Sequence, residues 1–435
     1  MTARFGKATG KRRKNIIRVL AAAASAITLF TAISAWQDWF WFAPRQAALS
    51  VPLPGASDEH TSAWSLRMDE TDQIEARMLT LLGRDGQLLA WYRLPGRTGR
   101  PPGESAPYAL AADQLRYGQY LLEQDRRKAF QEWWLYFRRQ WLNDSGDVRE
   151  RLFSLPADTD DGSSPAGWLR ENLLLARILA QSCSLWPDQA RLEDLHKLSA
   201  LLLPVLADSG FTEQTAYVPV TAPVLDPGAT PTPKPPVTPT PDPDREQALD
   251  VLRLASLDLF AMQALVLIDP AWQSILDTSR ERVIAGYLND ALPLYAWAWQ
   301  PSGGYLPFAG SQPLIDTEEA MATILHLCEV GIIPQTSISW IRDQLYNHTV
   351  LYAAYHAGQG SAAVKQESHA VYAMVARIAR IIQDEALYRA AVDRLLWHQA
   401  TSRTSPALSA FFRETANDEI FVWAADNTWA LLALR

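Results

Sequence analysis

Amphipathic helical runs follow one another along this chain in pairs, joined by short turns, and strand patterns are few. The pairing is clearest after Gly103-Glu104-Ser105-Ala106-Pro107-Tyr108-Ala109-Leu110, which closes a Pro- and Gly-rich loop (Arg97 to Pro102). From Tyr108, apolar residues recur at Ala111, Leu115 and Leu122, a period of about 3.6 that places them on one helix face. Gln124-Asp125 interrupt the run. Phe130, Trp133, Trp134, Phe137 and Trp141 then mark a second helix. Further helices are expected from Trp64 to Leu82, Trp168 to Leu179, Pro187 to Leu206, Gln247 to Leu267, Ala271 to Tyr287, Thr317 to Val330, Ser337 to Ala354, Glu367 to Gln383, Glu385 to Gln399 and Glu419 to Leu434. About twelve helices in antiparallel hairpins predict an all-α solenoid or a closed ring. Gly103-Glu104-Ser105 with Tyr108-Ala109 is echoed by Gln366-Glu367-Ser368 with Tyr372-Ala373, as repeated hairpins or shared helix-start chemistry would produce.

With 48% apolar and 20% charged residues over 435 positions, the chain is globular and has a large core. Its net charge of −8 argues against nucleic acid as a partner, because no basic face is left to neutralise phosphates. Seventeen Trp and fourteen Tyr exceed what chemistry alone needs. Most belong in the core, and a minority can line a groove where flat rings stack on sugars. Cys183 and Cys328 lie in apolar helical contexts and read as two buried free thiols. Neither has metal-ligand spacing, and His326 falls on a different helix face from Cys328, so neither a metal nor a cofactor is expected.

The N-terminal segment differs. Arg4, Lys7, Lys11, Arg12, Arg13, Lys14 and Arg18 precede an uncharged run from Val19 to Trp36, just long enough to cross a bilayer core. Basic residues before it and Trp36, Trp39, Phe40, Trp41 and Phe42 after it give a positive-inside orientation with an outer aromatic belt. The expected organisation is a cytoplasmic basic segment (1–18), a transmembrane anchor (19–36), a tether (37–61) and one helical body (62–435) outside the cytoplasm. A cleavable signal peptide is the competing reading of the same run. Within the body, 217–244 includes Pro231-Thr232-Pro233-Lys234-Pro235-Pro236 and reads as an extended, solvated inserted loop.

Three carboxylates stand out. Glu104 comes off a turn at the mouth of a helical hairpin, flanked by Ser105 and Tyr108, where it either complements a helix dipole or serves as a general acid. Asp316 follows the Gly303-Gly304-Tyr305 turn and precedes a helix, as an N-cap or a general base. Asp258 stands in an apolar helical context, where a lone carboxylate requires either a partner or a cleft.

Pro102-Gly103-Glu104-Ser105-Ala106-Pro107-Tyr108-Ala109-Leu110, followed by Phe130-Gln131-Glu132-Trp133-Trp134, resembles the Ser-Glu-Gly-Gln-x-Tyr-Gly hairpin of glycoside hydrolase family 8. The body more closely resembles the divergent family 8-like hydrolases encoded with bacterial exopolysaccharide machinery. Supporting stretches are Trp91-Tyr92-Arg93, Ala255-Ser256-Leu257-Asp258-Leu259, Asp316-Thr317-Glu318-Glu319-Ala320 and Gln366-Glu367-Ser368-His369-Ala370-Val371-Tyr372. The resemblance spans roughly Ser62 to Trp397. It implies an (α/α)6 toroid of helical hairpins, a cleft for a β-linked polysaccharide, and hydrolysis with inversion. Inversion requires an acid and a base about 6.5–9.5 Å apart, roles the resemblance gives to Glu104 and Asp316. Tyr108, Trp91, Tyr92, Trp168, Asp258 and Tyr305 are the expected substrate-binding residues. The chain departs from the family at Ser164-Pro165-Ala166-Gly167-Trp168-Leu169-Arg170, where Gly and Trp stand in place of the expected carboxylates. Two functions follow: a membrane-anchored extracytoplasmic glycosidase, or a catalytically degenerate glycan-binding partner of an exopolysaccharide synthase complex.

Overall fold

The computed structural model describes residues 49–51, 68–79, 86–94, 108–148, 151–153, 168–219, 246–309, 312–405, 407–414 and 419–434. The chain divides into two units, Met1–Ala48 and Leu49–Arg435, and all described residues belong to the second. The proposed anchor, the tether apart from residues 49–51, and Glu104 lie outside them; Val51 of the tether is buried and donates its N–H to Ser184 Oγ at 3.1 Å. No helix among the described residues is long and apolar enough to cross a membrane.

Twelve helices are described: α1 (Met68–Leu79), α2 (Ala111–Glu123), α3 (Arg127–Trp141), α4 (Trp168–Leu185), α5 (Gln189–Ala207), α6 (Leu259–Val266), α7 (Trp272–Ala285), α8 (Thr317–Glu329), α9 (Gln335–Asp343), α10 (His369–Ile381), α11 (Glu385–Trp397) and α12 (Ala424–Leu434). The even-numbered helices pack in the order α2–α4–α6–α8–α10–α12 and back to α2, which closes an inner ring. The odd-numbered helices form the outer layer. Among them α3, α5, α7 and α11 lie on the inner helix before each, and α1 lies on α12. This is a toroid of six helical hairpins.

Local chemistry explains where the helices start and how they pack. Asp188, Asp258, Asp316 and Asp384 each accept a backbone N–H from three residues on, capping α5, α6, α8 and α11. The aromatic stripe of α3 stacks along its length, with ring centroids 5.2 Å apart for Trp133–Phe137 and 6.0 Å for Phe137–Trp141. Buried rings of this kind contribute about 1.5–3 kcal/mol each. Gly118 on α2 makes room for Trp133, since a Cβ there would fall 2.2 Å from the indole.

Strands are more numerous than the sequence pattern predicts. Fourteen short ones form five small sheets among the described residues. Strands lead directly into inner helices: β2 (Tyr108–Leu110) into α2, β10 (Leu314–Asp316) into α8, β12 (Ala362–Glu367) close before α10, and β14 (Ile420–Trp423) into α12. They pair with β3 (Arg151–Phe153), β11 (Tyr352–His356) and β1 (Trp91–Leu94) in a collar at the N-terminal end of the ring.

The helix expected from Gln247 to Leu267 is corrected. Glu246–Arg253 is a strand, β5, paired along six residues with β4 (Gln214–Pro219) and at its far end with β8 (Ala298–Trp299). The 3₁₀ turn Leu254–Ser256 follows, and α6 begins only at Leu259. Partners remote in sequence satisfy this backbone and override its helix-forming composition. The ends of the Pro-rich insertion are therefore paired strands. Likewise Ser337–Ala354 is not one helix: α9 stops at Asp343, a π-helical turn spans Gln344–His348, and Thr349 turns with φ +62° into β11.

Candidate active-site rim

The first turns of α2, α4, α8, α10 and α12 meet at one end of the ring. Ser368, just before α10, donates its hydroxyl to Glu318 in the first turn of α8. Arg170 of α4 reaches Glu319 at 3.4 Å, and Arg253 lies 3.8 Å from the same oxygen. His369 of α10 sits 3.2 Å from Asp426 of α12, whose two carboxylate oxygens accept from the Arg413 guanidinium at 2.8 and 2.6 Å. Five N-terminal helix ends concentrate positive dipole ends there, and the acidic side chains answer them, whereas the start of α6 at Asp258 lies deeper, beside the last turn of α8.

Asp316 lies on this rim as the N-cap of α8, its Oδ1 accepting the Glu319 N–H at 3.1 Å. Its side chain is open to solvent. Even so, desolvation by the surrounding protein pushes its carboxyl up to about 6, against the capping hydrogen bond and with the help of the Glu318 and Glu319 charges. The side chain is thus reachable from solvent while neighbouring protein removes part of its hydration. An acid so placed exchanges its proton near neutrality.

Asp258 has the opposite setting. It caps α6 by accepting the Ala261 N–H at 2.8 Å, and Arg177 clamps both of its oxygens at 2.8 and 2.6 Å. The same guanidinium pairs with Glu329, and His326 stands 3.4 Å from Glu329. Burial would raise the Glu329 carboxyl, but Arg177 and His326 hold it well below the usual range. Asp258, His326 and Glu329 offer ligand atoms within 4.8 Å of one another. Arg177 already fills the position a metal ion would take, so these residues do not fit one. Between this cluster and the rim lies an axial cavity of about 50 Å³, lined by Arg116, Arg170, Glu171, Arg177, Asp258 and His326 among others.

The remaining expected residues have varied settings. Tyr108 opens β2, paired opposite Phe153 at the entry to α2. Trp91 in β1 packs edge-on against Phe421 at 5.4 Å and beside Trp423 at 6.3 Å. Tyr92 packs on the main core and its hydroxyl accepts the Leu89 N–H, with desolvation raising its pKa to about 12. Tyr305 is buried and donates its hydroxyl to the Arg282 carbonyl. Both tyrosines serve packing. Trp168 begins α4 on the rim and donates its indole N–H to Asp147 at 3.0 Å. The structure therefore gathers Asp316, Trp168 and Tyr108 at the N-terminal end, and sets Asp258 deeper. Glu104 is outside the described residues, and its distance from Asp316 is not part of this geometry.

Two acids at this end were not singled out by sequence. Glu171, one turn into α4, is buried beside the axial cavity, and desolvation raises it to about 7 against Arg170, Arg116 and Arg253. Asp113 in the first turn of α2 is raised to about 6 by burial, opposed by Arg116 and assisted by Asp426. The available signal was Arg170-Glu171 interrupting an otherwise apolar helix face. Cys183 and Cys328 are buried free thiols.

No protein-family model matches this sequence, and no curated protein matches it. Solved structures do match. A novel alpha-amylase from Clostridium perfringens superposes with a TM-score of 0.64 at 19% identity, over 84% of this chain and 97% of that one. PssZ from Listeria monocytogenes gives 0.52 at 15% identity, over 89% and 97%. Endoglucanase Cel10, a family 8 glycosyl hydrolase from Klebsiella pneumoniae, gives 0.50 at 14% identity, over 84% and 97%. At these identities the likeness is one of fold: the six-hairpin toroid is shared with a family 8 glycosyl hydrolase across nearly its full length.

Proposed function

We propose that this chain is a glycoside hydrolase that cleaves a polysaccharide at the N-terminal end of its helical ring, with Glu104 as acid and Asp316 as base. The observation that carries the reading is Asp316: solvent-open, partly desolvated, flanked by Glu318 and Glu319, and raised to about 6. A general base must be deprotonated at working pH yet basic enough to take a proton from water, and a pKa near 6 meets both demands. Tyr108, on the same rim, is four residues after Glu104. Four extended residues span at most about 14 Å, a reach compatible with two carboxyls facing each other across a cleft.

Inversion, a β-linked substrate, the anchor at 19–36 and a site outside the cytoplasm complete the proposal. Fold likeness to both an alpha-amylase and an endoglucanase makes the linkage an experimental matter. The test is release of reducing ends from carboxymethylcellulose, xylan, chitosan and soluble starch. Wild type is expected to hydrolyse at least one, and Glu104→Gln and Asp316→Asn each to abolish release while the melting temperature holds. Turnover surviving both substitutions overturns the assignment.

A second reading rests on Trp168. An aromatic ring stands where the family resemblance expects a carboxylate, and its N–H is committed to Asp147. A glycan-holding partner of polysaccharide synthesis would use such a ring without turnover. Binding to the same panel with no reducing ends released would select it.

A further inference from the structure

Trp397 ends the outer helix α11 with 77% of its surface exposed, the most open large apolar side chain among the described residues. An indole this open presents a large flat apolar face to solvent. The ring is not loosely held. The Arg394 guanidinium lies 5.4 Å from its centroid. Arg394 is itself pinned through two nitrogens to Glu367, with Nε at 2.6 Å. Glu367 also receives the Tyr372 hydroxyl and stands 3.3 Å from His398 Nε2. An indole resting on a fixed cation is a rigid platform with its other face free, so ligand contact there costs little side-chain ordering.

Its position is also informative. The His398 ring is 5.2 Å from that of His369, the first residue of α10. Ser368, immediately before it, bonds Glu318, two residues from Asp316. The C-terminal end of α11 is therefore part of the same rim as Asp316, on its outer edge. After Trp397 the chain passes through His398 and Gln399 into an exposed polar loop, Thr401-Ser402-Arg403-Thr404.

What occupies this ring is constrained by what surrounds it. The large exposed apolar residues of the described surface lie on different elements, among them Leu135 on α3, Ile284 on α7, Val364 on β12 and Trp397 on α11. A protein interface is built around a clustered apolar centre, and α11 carries no second large exposed apolar residue. A single flat ring bordered by hydroxyls and charge suits a sugar, which offers one apolar C–H face and polar edges.

We propose that Trp397 is a remote platform that holds a polysaccharide chain as it leaves the rim, contacting polymer but not a short oligosaccharide. This rests on the glycosidase reading above and extends it beyond the reacting bond. The test is affinity electrophoresis of the full-length protein through gels containing carboxymethylcellulose, xylan or soluble starch, with reducing-end assays in parallel. On the polymer that retards wild type, Trp397→Ala is expected to weaken binding about three- to tenfold, while Trp397→Phe stays within about twofold. KM for that polymer should rise with Trp397→Ala, and kcat on a short oligosaccharide of the same sugar should not change. Equal retardation of wild type and Trp397→Ala, or hydrolysis by a wild type that no polymer retards, overturns the platform and leaves the hydrolase standing. Absence of both retardation and hydrolysis in wild type overturns the functional reading and the platform together.

Discussion

Asp258 and Asp316 cap successive inner helices with the same hydrogen bond, to the N–H three residues on, yet they do different work. Asp258 is buried, and one guanidinium spans both of its oxygens. Asp316 keeps solvent on its free side and has two glutamates, not an arginine, as its charged neighbours. The cap explains why an aspartate is at each place. It does not distinguish a structural acid from a chemical one. What distinguishes them is the charge and water that meet the lone pairs the cap leaves over.

The largest effect that tests this contrast is on turnover. Asn caps a helix about as well as Asp, so Asp316→Asn removes the base and keeps the cap. Reducing-end release is expected to fall about 10²- to 10⁴-fold, with the thermal melt unchanged. A variant that retained activity would make the two aspartates alike after all.

Stability is the counterpart for the buried pair. Arg177→Met leaves Asp258 and Glu329 facing each other without their shared cation. Breaking a buried pair from one side typically costs about 3–5 kcal/mol. Urea denaturation should show a loss of that order, while Arg170→Met, whose side chain is only partly buried beside Glu319, should lose far less. Equal losses would mean that depth in the ring does not separate the two clusters.

The contrast also marks the limit of what the sequence could show. Asp316 was legible because a cap is local: Gly-Gly-Tyr turn, acid, then an apolar period. The hairpins were legible for the same reason, the stripe Phe130–Trp133–Trp134–Phe137–Trp141 being a single-helix pattern. The Arg177 contacts were not, since its partners lie 81 and 152 residues away and nothing in the local spacing pairs them. Asp258 therefore stayed open between cleft and core. The strand Glu246–Arg253 was missed on the same ground, because its partner lies across the Pro-rich insertion. The burial of Tyr92 and Tyr305 depended on which face each strand turns to the body, through the β1–β14 pair for Tyr92 and through the pair with Ala298–Trp299 for Tyr305. Proximity of Trp91 to Trp423, which folds the two ends of the body together, is likewise a property of ring closure.

A subtler effect concerns the acid limb of the rate profile. With Asp316 acting as a base, activity should fall to half as pH drops through about 6, where its carboxyl takes up a proton. Glu318 is one of the charges that raise it. Glu318→Gln removes that repulsion, so the limb should move to lower pH with little change in the plateau. An acid limb unmoved by this variant would mean that another group, such as Glu171, titrates there.

The smallest effect is on stability against pH, and its sign is informative. Asp316 is raised from 3.8 to about 6 on folding, so between those values the folded state binds more protons than the unfolded one. Stability therefore declines as pH rises through that window, and the full penalty is present above it. Asp316→Asn carries no such penalty and should match wild type below pH 4 and exceed it above pH 6. Losing a negative charge at a helix N-terminus opposes this gain. The upward shift means that lost hydration and the neighbouring glutamates outweigh the favourable capping contact. Because the side chain is solvent-open, the gain is expected to be no more than about 1 °C in Tm at neutral pH. Asp258→Asn should go the other way at neutral pH, since it takes one carboxylate charge from the cation it was built around. A neutral-pH Tm that fell for both variants would show that Asp316, too, is held by a favourable charge, and the rim would then be a second structural cluster in place of a catalytic one.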